Sequence, residues 1–297
     1  MFIRCSIRRF PPALFLAVAA ATALAASPAP DDRVSVRYSH SADNTLELGS
    51  APGGEVGVHA AMLDWGSSLP INSSTRLNYG LGWSLFDFDR SGPMAVPDKL
   101  QKISLSLGAS HRLNAQWLLL ASVQPGLYGD LEGGSRDAFN ATGLFLANYA
   151  RSRELVWSFG LRADPFADKP VIPIVGVNWR FAPNWEFTVG FPRVGFGYEA
   201  TPALKLGLGL SAQGGSFHVG RDPRPVSIAV GPRLDDSLLD YREIRVGLSA
   251  DYKFSDVLSL TLEAGAITDQ KFDYYEHGYT LNGGSTAFFT FGLTGRF

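Results

Sequence analysis

The sequence predicts an all-β protein, an antiparallel up-and-down transmembrane β-barrel of 14 strands, and three observations carry that prediction. The first is the stretch Thr286 to Phe297, where Ala287, Phe289, Phe291, Leu293 and Phe297 alternate with smaller or more polar residues. A period of two gives a strand with one apolar and one mixed face, and the final aromatic puts a ring at a membrane boundary. The second is that such alternation recurs along the chain, with short and long connectors interleaved as in barrels with tight periplasmic turns and longer outside loops. The third is a basic opening, Arg4, Arg8 and Arg9, followed by the short apolar run Ala13 to Leu24 and the small residues Ala23-Leu24-Ala25. This is the pattern of a cleaved secretory signal, expected over residues 1–25, with the barrel in 26–297.

The apolar run is shorter than the ~20 residues a membrane-spanning helix needs, and Ser27, Pro28, Pro30, Asp31 and Asp32 follow it. Cys5 precedes the run, where lipidation would not use it. The mature chain therefore carries no cysteine, which excludes disulfide and thiolate chemistry. With three leader arginines gone, 26 basic residues fall to 23 against 28 acidic ones, a net charge of -5. That balance excludes a nucleic-acid binder.

Taken in order, the expected strands are 33–40 and 54–64, then 75–87 rising, 101–112 descending, 116–128 rising and 139–150 descending. They continue with 154–163 rising, 171–181 descending, 185–191 rising, 194–200 descending, 204–213 rising, 242–254 descending, 257–271 rising and 285–297 descending. Directing the last strand into the periplasm fixes every earlier direction by parity. Short connectors lie at 112–115, 150–153, 181–184, 199–203 and 254–256, and long ones at 87–100, 129–138, 164–170, 214–241 and 272–284. The strands 185–191 and 194–200 fall short of the ~9–11 residues a tilted membrane strand wants, so 12 strands is the alternative. A soluble β-sandwich would also alternate. Against it, Tyr79, Trp117, Trp157, Trp179, Trp185, Tyr198 and Tyr252 fall on outward positions close to strand ends, as interfacial girdles require.

The same alternation sorts the charges. In 242–254, Val246, Leu248, Ala250, Tyr252 and Phe254 share one face, which leaves Arg245, Gly247, Ser249, Asp251 and Lys253 on the other. Arg or Lys on the lipid face costs roughly 2–4 kcal/mol at mid-membrane, so the charged face is the inner one. The expected lumen lining is Arg112, Arg162, Arg180, Glu186, Lys205, Arg245, Asp251, Lys253, Glu263 and Arg296. Six of these (Arg112, Arg180, Glu186, Lys205, Lys253, Arg296) adjoin short turns at the periplasmic mouth, and Glu263 is the mid-lumen charge. Phe297 is the expected assembly signal.

A barrel this wide leaves room for a lumen that eight strands would fill with side chains. The mixed-sign lining suits a channel, whereas a cross-paired interior or an inward fold of 214–241 would close it. Catalysis finds no constellation: His111 and Ser110 point to opposite faces, while His218 and His277 fall on outside loops near Asp222, Asp273 and Glu276. No metal-ligand spacing and no cofactor motif is present. The glycine pairs Gly195/Gly197 and Gly207/Gly209 read as strand glycines.

Pro173 to Trp179, Pro183-Asn184-Trp185, Phe191-Pro192-Arg193, Tyr198 and Gly214-Gly215-Ser216-Phe217 together resemble the central signature of an uncharacterised family of outer-membrane β-barrels, a domain of unknown function. Leu105 to Pro125 and Tyr241 to Gly265 are similar as well. The resemblance implies location and topology, with no substrate and no catalytic residue. The resulting expectation is a Gram-negative outer-membrane barrel, a passive channel or binding barrel for small solutes and not an enzyme. Its expected partners are outer-membrane lipid and, through the last strand, the barrel-assembly machinery. The alternatives are a closed structural or surface-interaction barrel and a surface lipid- or peptide-modifying enzyme.

Overall fold

A computed structural model describes residues 32–131, 136–190, 192–224 and 231–297. The expected leader and Phe191 of the signature lie outside them. The strands are β1 (Arg33–Leu48), β2 (Ala51–Pro70), β3 (Thr75–Arg90), β4 (Lys99–Arg112), β5 (Trp117–Gly129), β6 (Phe139–Ala150), β7 (Leu155–Ala163) and β8 (Val171–Ala182). They continue as β9 (Trp185–Val189), β10 (Arg193–Thr201), β11 (Leu204–Val219), β12 (Ser237–Lys253), β13 (Leu258–Tyr274), β14 (Tyr279–Gly283) and β15 (Thr286–Arg296). Each pairs antiparallel with its neighbour, and β1 closes the ring against β15 from Arg33↔Arg296 to Ser41↔Phe288.

β14 and β15 form one stave. β1 pairs Leu46 with Gly283 and Ser41 with Phe288, while β13 pairs Gln270 with Gly283 and Ile267 with Thr286, one unbroken register on each side. The barrel therefore has 14 staves, and the twelve-strand alternative is excluded because both short strands, β9 and β10, are paired members of the wall. At the interruption, Gly284–Ser285, the Asn44 side-chain amide donates to the Gly284 carbonyl at 3.0 Å. The Thr286 hydroxyl reaches the carbonyls of Ala42 and Asp43.

The short turns are built by their own side chains. Asn72 accepts from the amides of Ser74 and Thr75, Asn114 from Gln116 and Trp117, Thr201 from Ala203 and Leu204, and Ser255 from Val257 and Leu258. A short polar side chain that bonds amides two and three residues on replaces the ladder where the chain reverses. Above this end the lipid face carries the expected girdle. Trp117 lies 4.9 Å from Tyr149, Trp185 4.7 Å from Tyr198 and Tyr252 5.0 Å from Phe254, ring centre to ring centre.

The opposite end departs from expectation. The connectors expected at 214–241 and 272–284 are shorter than expected: β11 and β12 stay paired up to Val219↔Ser237, leaving 220–236 as the loop, and β13 and β14 take up most of the second. The first pair also runs longer than 33–40 and 54–64, reaching a two-residue turn at Gly49–Ser50. Gly214 in β11 has φ +129°, and a Cβ there would lie 2.0 Å from the Tyr241 carbonyl oxygen. From this bend β11 leans across the barrel until His218 pairs in parallel with Gly129 of β5, and the Asp130 amide donates to the His218 carbonyl at 3.1 Å.

That contact closes a second, smaller ring of nine strands, β11 to β14 and β1 to β5, at the long-loop end. A hydrophobic core fills it. Its strand members are Leu46, Val56, Val58, Ala60, Phe86, Phe88, Leu100, Tyr128, Phe217, Val219, Leu239, Tyr241, Phe272, Tyr274, Tyr279 and Leu281. Met94, Ala95, Val96 and Leu234 seal it from the loops. All are inward side chains, and among the described residues β6 to β10 add none.

In β1, β13 and the β14/β15 stave the change from polar to apolar interior comes with a change of phase, whereas β2 to β5 and β12 pass from Asp64, Ser84, Lys102, Gln124 and Glu243 to Ala60, Phe86, Leu100, Tyr128 and Tyr241 in unbroken alternation. β1 is bulged between Ser41 and Asn44, β13 between the partners of Ile244 and Arg245, and β14/β15 is broken beside them. An extra residue sends every later side chain to the other face. Below this level Ser39, Ser41 and Thr290 point inward, and above it Leu46, Phe272 and Leu281 do.

A polar layer sits at the junction. Glu243 takes two bonds from the Arg245 guanidinium, at 2.8 and 2.6 Å, and further bonds from Tyr241 and Gln270. Arg245 also donates to Ser39, Thr290 donates to Ser39, and Asn44 donates to Gln270. The two charges are 0% and 4% exposed.

Removing one member of such a buried pair costs about 3–5 kcal/mol, because the other charge is left without compensation. Arg245→Leu should lower stability by about that much in urea unfolding of the detergent-solubilised barrel, and adding Glu243→Leu should restore much of the loss. Gly214→Ala should also destabilise: a side chain at this φ costs about 1–3 kcal/mol before any clash is counted. Loss of heat-modifiable mobility at a lower temperature would register it.

Candidate functional site

Beneath the polar layer the barrel is wide and its interior is open, with a principal cavity of about 770 Å³. Its charged lining comes from strands whose alternation sets the side chains inward. Arg33 and Arg37 of β1 alternate with the outward Val34, Val36 and Tyr38, Asp64 of β2 lies between Leu63 and Trp65, and Lys102 of β4 is in phase with Ser104 and Ser106. Arg162 of β7 and Asp164 complete the set. The wall of this cavity thus presents four cationic and two acidic side chains.

Some of these charges are pinned. Arg162 bridges Asp164 at 2.7 Å, and Asp164 accepts from Asn140 at 2.9 Å. Lys102 donates to Gln124 at 2.9 Å and lies 4.9 Å over the Tyr128 ring. Its bond to a neutral amide oxygen and its place over a ring hold Lys102 without cancelling its charge, so the cavity keeps a cationic surplus.

The sequence-derived lining residues divide into four groups. Arg162 lines the principal cavity. Glu186, Lys205, Asp251 and Glu263 meet around a smaller space of about 80 Å³ with Arg193. There Lys205 pairs with Glu186, Arg193 with Glu263 at 3.2 Å, and Thr261 with Asp251. Glu263 is therefore one half of an ion pair beside β10 rather than an isolated mid-lumen charge. Arg112, Arg180, Lys253 and Arg296 are exposed at the short-turn end, where Arg180 faces Glu199 at 3.7 Å. Arg245 points inward and is sealed in the polar layer.

Sequence reasoning did not single out Arg33, Arg37, Asp64, Lys102 or Asp164. The signal for Lys102 was present in its strand, where it alternates in phase with Ser104 and Ser106. Arg33, Arg37 and Asp64 were readable by the same alternation.

The long-loop end is clasped shut. Asp222 takes bonds from the Arg224 side chain at 2.9 and 2.6 Å and from the amides of Arg224 and Leu234 at 3.0 and 3.1 Å, while Leu234 is seated in the core. Burial would push the Asp222 carboxyl up, but these bonds outweigh it and hold it below its ordinary value. Nearby, burial pushes the Tyr275 phenol up to about 12, so it stays a neutral donor, and it donates to the Phe166 carbonyl at 3.0 Å.

The outer histidines are structural partners. His218 bonds Asp236 at 2.7 Å, and His277 bonds the Ser237 hydroxyl at 2.9 Å. Ser237 is 0% exposed, and the Glu276 carboxylate is occupied by the Leu238 amide. The one serine–histidine pair among these residues is closed to a substrate. Among the described residues no group of three or more His, Cys, Asp or Glu side chains is arranged to hold a metal ion.

Residues 73–280 match the model of a family described as Domain of unknown function (DUF6268). No curated protein matches the sequence significantly. In fold, the chain is similar to an outer membrane channel from Pseudomonas putida F1, with a TM-score of 0.51 and 14% identity over 92% of this chain and 97% of that one. A Pseudomonas aeruginosa FadL homologue gives a TM-score of 0.46 at 12% identity over 90% of each chain. The toluene transporter TodX of Pseudomonas putida gives 0.42 at 7% over 91% of each. At these identities the likeness concerns the fold.

Because Asp222 is depressed in the folded state, its contribution is present above the ordinary carboxyl value of 3.8 and is lost as pH falls through the folded value. Hydrogen exchange in residues 231–236 should therefore speed up below about pH 3.8 after correction for intrinsic rates. Asp222→Asn should produce the same loosening at neutral pH.

Proposed function

The chain belongs to the DUF6268 family, and from that premise we propose that it is a passive outer-membrane channel or binding barrel for small solutes, with a preference for anions. The observation that carries this is the principal cavity of about 770 Å³ with four cationic and two acidic side chains on its wall. A low-dielectric wall of one net sign concentrates counter-ions in the space it encloses. That an outer membrane channel shares the fold is consistent with the reading.

The leader and the apolar outer face support the outer membrane as the location. The C-terminal strand ending at Phe297 would serve the assembly machinery there. A closed structural barrel is the second reading, favoured by the hydrophobic core at the long-loop end. Nothing in the arrangement of Ser237 and His277 recommends an enzyme.

Planar-bilayer recording of the purified protein separates the first two readings. The channel should carry a steady current with a reversal potential that favours chloride over potassium in a salt gradient, and a sealed barrel should carry none. Arg33→Glu/Arg37→Glu exchanges two cations for two anions in the lining, so the preference should drop several-fold or reverse. An unchanged reversal potential would remove the lumen from the conduction path.

A further inference from the structure

We infer that solute reaches this lumen sideways, through a window in the barrel wall between β8 and β11, and that the molecule suited to the route is an amphipathic anion with an apolar body. The inference rests on the channel reading above and adds the route and the solute class. The axial route is occupied by the nine-strand core, whose members are almost wholly buried. The wall beside it is incomplete. β8 pairs with β9 only from Val177 to Ala182, so among the described residues 171–176 have no ladder partner on that side. β10 pairs with β11 no further than Arg193↔Ser211, because β11 then bends at Gly214 toward β5.

Two jambs are left, one of β8 and one of β11, with the ends of β9 at Val189 and of β10 at Arg193 below them. Loop 164–170 is the lintel: the Asp168 amide donates to Asp240 of β12 at 3.1 Å and Tyr275 holds the Phe166 carbonyl. Within a bilayer, strand backbone without a ladder partner is tolerated where it lines a cavity. Cavities do lie there. One of about 410 Å³ is lined by Leu144, Leu146, Ile174, Val189 and Pro192, and it shares Gln124, Thr142 and Arg162 with the principal cavity. A second of about 410 Å³ reaches Ile172 and Ala212, is otherwise lined by charges of both signs from Asp168 and Lys169 to Lys271 and Asp273, and shares Arg162, Gly214, Gly215 and Ser216.

The three spaces meet at Arg162. A solute entering through the first of these spaces passes Leu144, Leu146, Ile174, Val189 and Pro192 before it meets the cationic wall. This order fits a molecule that dissolves its body in the rim and leaves its charge to Lys102, Arg37 and Arg33. A free inorganic anion gains nothing from the rim, and a cationic amphiphile is opposed by the wall.

The mature chain has no cysteine, so Ile174→Cys and Ala212→Cys each place a single thiol on one jamb. The probe is 2-naphthalenesulfonate, a permanent anion on an aromatic body, and its efflux from proteoliposomes is followed by fluorescence. The unlabelled variants should pass it as wild type does. A bulky maleimide at either position should slow efflux at least tenfold, while the same label on Leu77→Cys, on the lipid face, should not. The matched cation, a naphthyl trimethylammonium, should cross more slowly than the sulfonate. Labelled jambs that pass the sulfonate at the unlabelled rate would overturn the route. Wild type that conducts chloride yet excludes the sulfonate would overturn the solute class alone. Wild type that passes neither would overturn the channel reading and this inference with it.

Discussion

The buried pair Glu243–Arg245, with Ser39, Asn44, Gln270 and Thr290 bonded around it, stands where the barrel changes character. On one side the inward face is polar and encloses water-sized space. On the other it is apolar and solid. Two charges out of water are tolerable only when each finds several partners, and the bulges of β1 and β13 and the break between β14 and β15 bring those partners into one layer. The same irregularities switch the phase of those staves alone. The polar layer draws its partners from them, while most of the hydrophobic core, Phe86, Phe88, Leu100, Tyr128 and Tyr241 included, comes from strands whose alternation is unbroken.

The narrowing at the long-loop end answers a problem of size. Fourteen staves enclose more volume than their own side chains can fill, so a solid core in a ring of that circumference would leave voids. Bending β11 at Gly214 to reach β5 cuts the ring to nine strands, a girth that Phe86, Phe88, Tyr241 and Phe272 fill with edge-on and tilted ring contacts 4.8–5.3 Å apart. The five strands left out, β6 to β10, cannot follow β11 inward. They have to end early or part from it, and a gap in the ladder beside the bend is the geometric consequence.

Much of this was legible in the sequence, and the limits have physical causes. Strand count, antiparallel order and the short turns could be read because alternation survives wherever the two faces of a strand meet different surroundings, as in Val246 to Phe254. Inward charges followed by elimination, and Arg162 was placed in the lining by that route. The core above the bulges was not legible, since Leu239, Tyr241 and Phe272 are apolar residues facing inward and look no different from residues facing lipid. Gly214-Gly215-Ser216 read as the start of a loop because two adjacent glycines weaken any strand pattern. Its role as a bend depends on a contact with Gly129, 89 positions earlier in the chain when counted from His218, which no local pattern encodes.

Charge placement ties the two ends of the barrel together. Near the short turns Lys205 pairs with Glu186 and Arg180 faces Glu199, and further along the wall Arg193 pairs with Glu263. Paired charges present little net field to a passing ion. In the principal cavity two acids are set against four bases, of which Lys102 and Arg162 lie toward the sealed core and the gap in the wall, while Arg33, opposite Arg296, lies toward the short-turn mouth. An uncompensated surplus is costly in a dry interior and cheap in a wet one, so its position marks where water must enter. With the outer axis closed by packed rings, the wall beside β8 and the short-turn mouth are the two ways for that water to arrive. A solute drawn by the same surplus would share them.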